Sequence, residues 1–209
     1  MNLSSSSKIH SLQQFLNSLA RFLIILACGT WIGAILFLGI GVAPVNFDTA
    51  KQWQLQGTHP QLQQQTDSYR AIGGALTAGS IQRLNYLEFI CVITGVLGFA
   101  LFWMQRRNMN FWLFLETAIF AVIVVLFAIY SLKIGDQLHT IREQALLNFS
   151  GSPDAVQSGV RQTFDRLHQR YTQLTGINSA LLICELLIVS FRPTLKPVGQ
   201  LKHVDAGED

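Results

Sequence analysis

Glu88, Glu116 and Glu185 each stand alone inside a long apolar stretch of this sequence. Placing a charge at the centre of a bilayer costs at least about 2.5–3.5 kcal/mol, so an isolated carboxyl in such a stretch is a functional candidate by default. Three kinds of chemistry suit it. The acids stay neutral, bonded to each other or to backbone. They relay a proton or bind a cation in transport. Or, with the thiols of Cys28 and Cys184, Glu116 and Glu185 form a soft metal site, since thiolate and carboxylate both ligate metals. No two of these ligands show a diagnostic close spacing. Asn178 is a fourth polar residue of the same kind. His168 reads either as a metal or haem ligand or as a hydrogen-bonding anchor near a membrane surface. Cys28, Cys91 and Cys184 otherwise read as small packing residues, and they imply no disulfide framework.

The elements that position these groups follow from hydropathy. Half of the 209 residues are hydrophobic and only 13% are charged, where a soluble domain carries about 25%. Residues 22–43, 84–104, 111–132 and 174–191 are almost free of charge. Each is near the roughly 20 residues that cross a hydrocarbon core. The expected architecture is therefore an all-α integral membrane protein. Its 22–191 domain holds four transmembrane helices, between an N-terminal tail (1–21) and a C-terminal tail (192–209). The first apolar run is too long for a signal peptide, and the chain stays apolar after the lipoprotein-like Ile25-Leu26-Ala27-Cys28, so this run is kept as helix one.

Arg106 and Arg107 in the short second connection favour the cytoplasmic side, which places both termini in the cytoplasm. At about 1.5 Å per residue, Glu116, Glu185 and Cys28 then share a level roughly 8–10 Å below the inner face. Glu88 lies near the outer end of its helix, beside Arg83, Asn85, Asn178 and His168. Two polar layers are expected, one per leaflet, with Arg83 pairing Glu88 or Asp165. Tyr86, Tyr130 and Tyr171 read as the outer aromatic belt, and Trp103, Trp112 and Phe191 as the inner one.

Helical spacing continues past helix three at Ile134, Leu138 and Ile141. It resumes after Ser152-Pro153 through Val156, Val160, Phe164 and Leu167 into helix four. Helices three and four are therefore expected to extend beyond the bilayer as an antiparallel hairpin. The first outer loop, from Val45 to Gln82, is rich in glutamine, with a break expected at His59-Pro60 and a short helix near Tyr69 to Leu76. Gly29, Gly33, Phe37 and Gly41 fall on one face of helix one, and Gly95 and Gly98 lie in helix two. Small residues there predict close helix packing.

Trp31-Ile32-Gly33, Phe37 and the run Ala43-Pro44-Val45-Asn46-Phe47 resemble a known pattern. So do Ala71 to Asn85, with Gly79, Arg83 and Leu84 in order, and Phe164-Asp165-Arg166-Leu167-His168 followed by Asn178. Together these resemble the family of four-helix membrane domains typified by transmembrane protein 205, over roughly residues 19–191. More distant relatives of that family look like copper-resistance D-like membrane proteins and a haem-binding membrane protoporphyrinogen oxidase. The chain departs from the pattern in its glutamine-rich insert and at Thr172, where serine is expected. The resemblance implies a four-helix bundle and no established reaction.

The net charge of +3 comes without any dense basic run, so no nucleic-acid footprint is present. No hydrolase triad, dinucleotide fingerprint or phosphate loop occurs; Gly73-Gly74 lacks a following Gly-Lys-Ser/Thr. The bilayer is the expected partner, and association with further copies of the chain stays open. The leading expectation is a small carrier of an ion, metal or small molecule, or a stress-resistance factor, and not an enzyme. The alternatives are a haem-binding membrane oxidoreductase using His168, and a scaffold docking a partner through the outer hairpin.

Overall fold

The computed structural model describes residues 3–56, 68–105, 111–148 and 154–191, all of them in helices apart from Gln56. Helix α1 (Leu3–Leu36) runs through a π-helical turn (Phe37–Val42) into α2 (Ala43–Leu55). Helix α3 spans Ser68–Gln105. Helix α4 (Phe111–Phe127) runs through a second π-helical turn (Ala128–Ile134) into α5 (Gly135–Asn148), and α6 spans Asp154–Phe191. Four of these continuous rods contain segments long and apolar enough to cross a membrane: Ser11–Trp53, Ile72–Gln105, Phe111–Ile141 and Gln162–Phe191. No strand occurs among the described residues.

The rods are longer than the hydropathy limits suggested. Residues expected to form the N-terminal tail are helical from Leu3, and much of the first outer loop continues the helices on either side of it. Pro44 explains why the first junction looked like an end. A proline inside a helix removes one backbone donor, and its ring crowds the carbonyl four residues back. The chain answers by widening the preceding turn, and the Ala43 N–H donates to Leu38 O, five residues back. A π turn absorbs one extra residue without ending the helix. The expected break at His59-Pro60 and the proposed cap at Ser152-Pro153 lie outside the described residues.

Neighbouring rods run antiparallel. Trp31 meets Glu88 and Phe47 meets Gly73 between the first rod and α3. Arg21 donates to Ser190 O between α1 and α6. Phe99 packs on Phe120 between α3 and α4, and Tyr130 packs on Tyr171 between the third rod and α6. Helix α2 lies along α3, and α5 along α6. The core is a stack of Ile24, Cys28, Trp31, Phe99, Phe120, Ile123, Phe127, Tyr130 and Leu182.

The glycines sort differently from the expected stripe. A Cβ at Gly29 or Gly33 would meet nothing within 4 Å, and at Gly41 it would meet only Phe37 of its own rod. This face looks away from the other helices, because spacing alone does not say which way a stripe turns. The close approach occurs at Gly98, where a Cβ would lie 2.7 Å from Ile24 Cγ1 and 3.0 Å from the Ala20 carbonyl oxygen. A backbone oxygen cannot swing aside as a side-chain tip can. Gly98→Ala is expected to destabilise the bundle, because overpacking costs about 1–3 kcal/mol. Gly29→Ala is expected to be neutral or to stabilise by up to about 1 kcal/mol through helix propensity. Thermal unfolding in detergent compares the two, and shifts of the same sign and size would refute the α1–α3 contact at Gly98.

Candidate functional site

The centre of the site is Glu88 on α3. The Trp31 indole N–H donates to its Oε1 at 2.9 Å, and the Tyr130 hydroxyl donates to the same oxygen at 2.8 Å. Asn178 Nδ2 donates to the Tyr130 hydroxyl oxygen at 3.4 Å. All four side chains are 0% exposed. The cluster takes one residue from each rod: Trp31 from α1, Glu88 from α3, Tyr130 from the second π-helical turn, and Asn178 from α6. Tyr171, also on α6 and buried, sets its ring edge-on to Tyr130 at 5.4 Å.

Rings build the wall of this cluster. Trp31 lies edge-on to Phe127 at 5.4 Å, and Phe127 lies edge-on to Tyr130 at 5.7 Å. Such pairs hold ring orientation as well as burying area, so the two donors are aimed before anything binds. The π-helical turn matters for the same reason. Its wider winding, closed by the Gly135 N–H on Tyr130 O, is where the chain presents Tyr130 to the interior. π turns of this kind are frequent at functional sites.

The polar inventory is lopsided. The indole and phenol donors are both spent on one oxygen of Glu88. The other oxygen, Oε2, has no hydrogen-bond partner, and neither has Asn178 Oδ1. A buried polar atom left unsatisfied costs about 1–3 kcal/mol. Glu88 Oε2 and Asn178 Oδ1 are acceptors, and the Tyr171 hydroxyl, also buried without a partner, can donate or accept, so a proton, a donor or a cation would complete the carboxyl.

Glu185 is the centre of a second, smaller grouping. It is 0% exposed, and both its oxygens are buried without a hydrogen-bond partner. It lies within electrostatic reach of Glu116, itself 0% exposed, and of Cys28. Cys184 does not join them. It is exposed on the outward side of α6, adjacent in sequence to Glu185 but turned to a different face. The soft metal site expected from Cys28 and Cys184 is therefore not assembled, and among the described residues no three His, Cys, Asp and Glu side chains come together as a metal-binding group.

The remaining sequence candidates are dispersed. Arg83 is exposed and does not pair with Glu88, whose partners are Trp31 and Tyr130. His168 is exposed on α6 with its ring stacked on Phe164 at 5.9 Å, and His139 is exposed on α5. Neither belongs to the buried cluster. Gly33 is exposed. Pro44 shapes the first π turn, Phe47 fills the space over Gly73, and Leu167 packs at the core edge. Tyr130 and Tyr171 were expected in the outer belt, yet both are buried beside Glu88. The signal that marks them is chemical: a buried tyrosine usually finds a hydrogen-bond partner, and an isolated intramembrane acid needs donors.

No protein-family model, curated protein or solved structure matches the chain.

Proposed function

We propose that this chain is a multi-pass integral membrane protein that carries a proton or small cation through its interior, with Glu88 as the acceptor. The four apolar rods cross the bilayer, and the α5–α6 pair continues beyond it as an antiparallel hairpin, with both termini in the cytoplasm. The distribution of polarity supports insertion. Large apolar side chains such as Phe37, Ile40, Phe89, Phe114 and Leu132 cover the outside, while Glu88, Glu116, Asn178 and Glu185 are fully buried. That is the arrangement lipid requires, since intramembrane acids face the bundle interior.

The single observation that carries the functional reading is the divided Glu88 carboxyl. One oxygen is fixed by two donors from two other rods and the second is left open, as is the Asn178 carbonyl in the same cluster. A purely structural acid would spend both oxygens on the fold. The test is reconstitution of the purified chain into liposomes, with dyes reporting internal H⁺, Na⁺ and K⁺. The wild-type chain is expected to pass one of these ions faster than empty liposomes do. Glu88→Gln, which keeps shape and removes the charge, is expected to lower that flux by about tenfold or more, the scale of one lost charged hydrogen bond. Equal flux from wild type and Glu88→Gln would sink the proposal.

A further inference from the structure

Cys91 lies three residues beyond Glu88 on α3, and Cys28 lies three residues before Trp31 on α1. Residues three apart share a helix face, and the two helices run antiparallel. The Trp31–Glu88 contact and the Cys28–Cys91 pair are thus successive rungs of one ladder, roughly 4.5 Å apart along the axis at 1.5 Å per residue. Both thiols are free and buried. Cys91 is within electrostatic reach of Glu88, and Cys28 within reach of both Cys91 and Glu185. The antiparallel register set by Arg21 and Ser190 brings Glu185 to nearly the level of Cys28, and the register set by Tyr130 and Tyr171 brings Glu116 to nearly the level of Glu185. The bundle interior therefore holds one file of proton-bearing groups: Glu88, Cys91, Cys28, Glu185, Glu116. It leads from the four-rod cluster toward the end where α1 begins and α6 finishes.

We propose that this file is a proton path, with the Cys28–Cys91 pair as the relay between two carboxyl stations. The inference rests on the carrier reading above and names its substrate. Three features favour a proton over a metal ion. Of the open atoms at the two stations, Glu88 Oε2, Asn178 Oδ1 and both oxygens of Glu185 are acceptors, and the Tyr171 hydroxyl beside the first can donate or accept. A carboxyl proton is the donor they lack. Two donors already occupy Glu88 Oε1, which leaves one oxygen, enough for one proton and too little for bidentate coordination. The described residues gather no three metal ligands. Between the stations a thiol both donates and accepts weakly. It takes a proton on sulfur while releasing its own to the next acceptor, so no bond other than S–H and O–H is made or broken. Each hop requires a side-chain rotation or a bridging water.

The test uses the full chain in proteoliposomes with an internal pH dye, under a potassium diffusion potential, with Na⁺ and K⁺ flux measured in parallel. Proton flux is expected in the wild type. Glu88→Gln, Glu185→Gln and the double variant Cys28→Ala/Cys91→Ala are each expected to reduce it by about tenfold or more, within the range of a lost proton-transfer group. Cys28→Ser/Cys91→Ser, which restores a donor and acceptor at each position, is expected to recover most of the rate. Cys184→Ser, on the exposed side of α6, is expected to leave it unchanged. Thermal unfolding of each variant separates lost flux from lost fold. If Glu88→Gln abolishes flux but Glu185→Gln and the double alanine variant do not, the path is wrong and the Glu88 site stands. The same holds if Glu88-dependent flux is carried by Na⁺ or K⁺ alone. No flux above empty liposomes would overturn both.

Discussion

Deleting Ile129 is expected to leave a folded bundle in which the proposed Glu88-dependent flux is largely lost. Ile129 is partly exposed and sits within the second π-helical turn, one residue before Tyr130. A π turn holds one residue more than the α-helix that would replace it, so the deletion lets α4 and α5 join as one regular helix with their outer faces in register. Of the buried residues of that turn, Tyr130 lies nearest the deletion and bears the largest consequence. It rotates about the axis by a large part of the roughly 100° that separates successive helical residues. The hydroxyl then leaves Glu88 Oε1 and Asn178 Nδ2, its partners at 2.8 and 3.4 Å. A hydrogen bond to a charged group contributes about 1.5–3 kcal/mol, so Glu88-dependent flux should fall roughly 10- to 100-fold at 1.4 kcal/mol per decade. Circular dichroism should report at least wild-type helicity. A deletion variant with undiminished flux would show that the π turn has no part in the site.

The second large effect concerns Trp31, which joins the packing of the bundle to its polar centre. Trp31→Ala is expected to be the most damaging single core substitution, costing about 3–5 kcal/mol. The indole is 0% exposed and packs edge-on to Phe127, so its removal leaves a large cavity in the aromatic wall. Trp31→Phe keeps most of that volume and removes the N–H. It should cost about 1–3 kcal/mol, the penalty of an acceptor deprived of its donor. In a Glu88→Leu background the Phe substitution should cost less, because the acceptor is gone. Thermal unfolding of the four proteins of that cycle measures the coupling. A coupling near zero would mean that the Trp31–Glu88 bond adds nothing to stability.

The parts of the molecule legible in the sequence are those governed by a single strong constraint. Lipid excludes charge, so four apolar rods and the isolated Glu88, Glu116, Glu185 and Asn178 stand out without any tertiary information. What was not legible depends on rotation about a helix axis. The Gly29, Gly33 and Gly41 stripe had the right period and turned the wrong way, while Gly98 made the contact. Cys184 is next to Glu185 in sequence and is excluded from its surroundings for the same reason. Tyr130 stands near the end of an apolar stretch, where sequence alone points to an interface aromatic. The π turn that carries it inward leaves no mark in hydropathy. Arg83 was close enough in sequence to suggest an ion pair with Glu88. The bundle instead supplied an indole and a phenol from other rods, which deliver donors to a buried acid without burying a second charge.

The indole that holds Glu88 is also an optical instrument. Of the four tryptophans, Trp53, Trp103 and Trp112 are between 37% and 49% exposed, and Trp31 alone is fully enclosed. Its emission must respond to the electric field of the carboxyl at the end of its own N–H bond. With the other three changed to phenylalanine, the colour and lifetime of the remaining fluorophore would follow the protonation of the acid. The protein thus contains its own reporter, with no label introduced into the bundle.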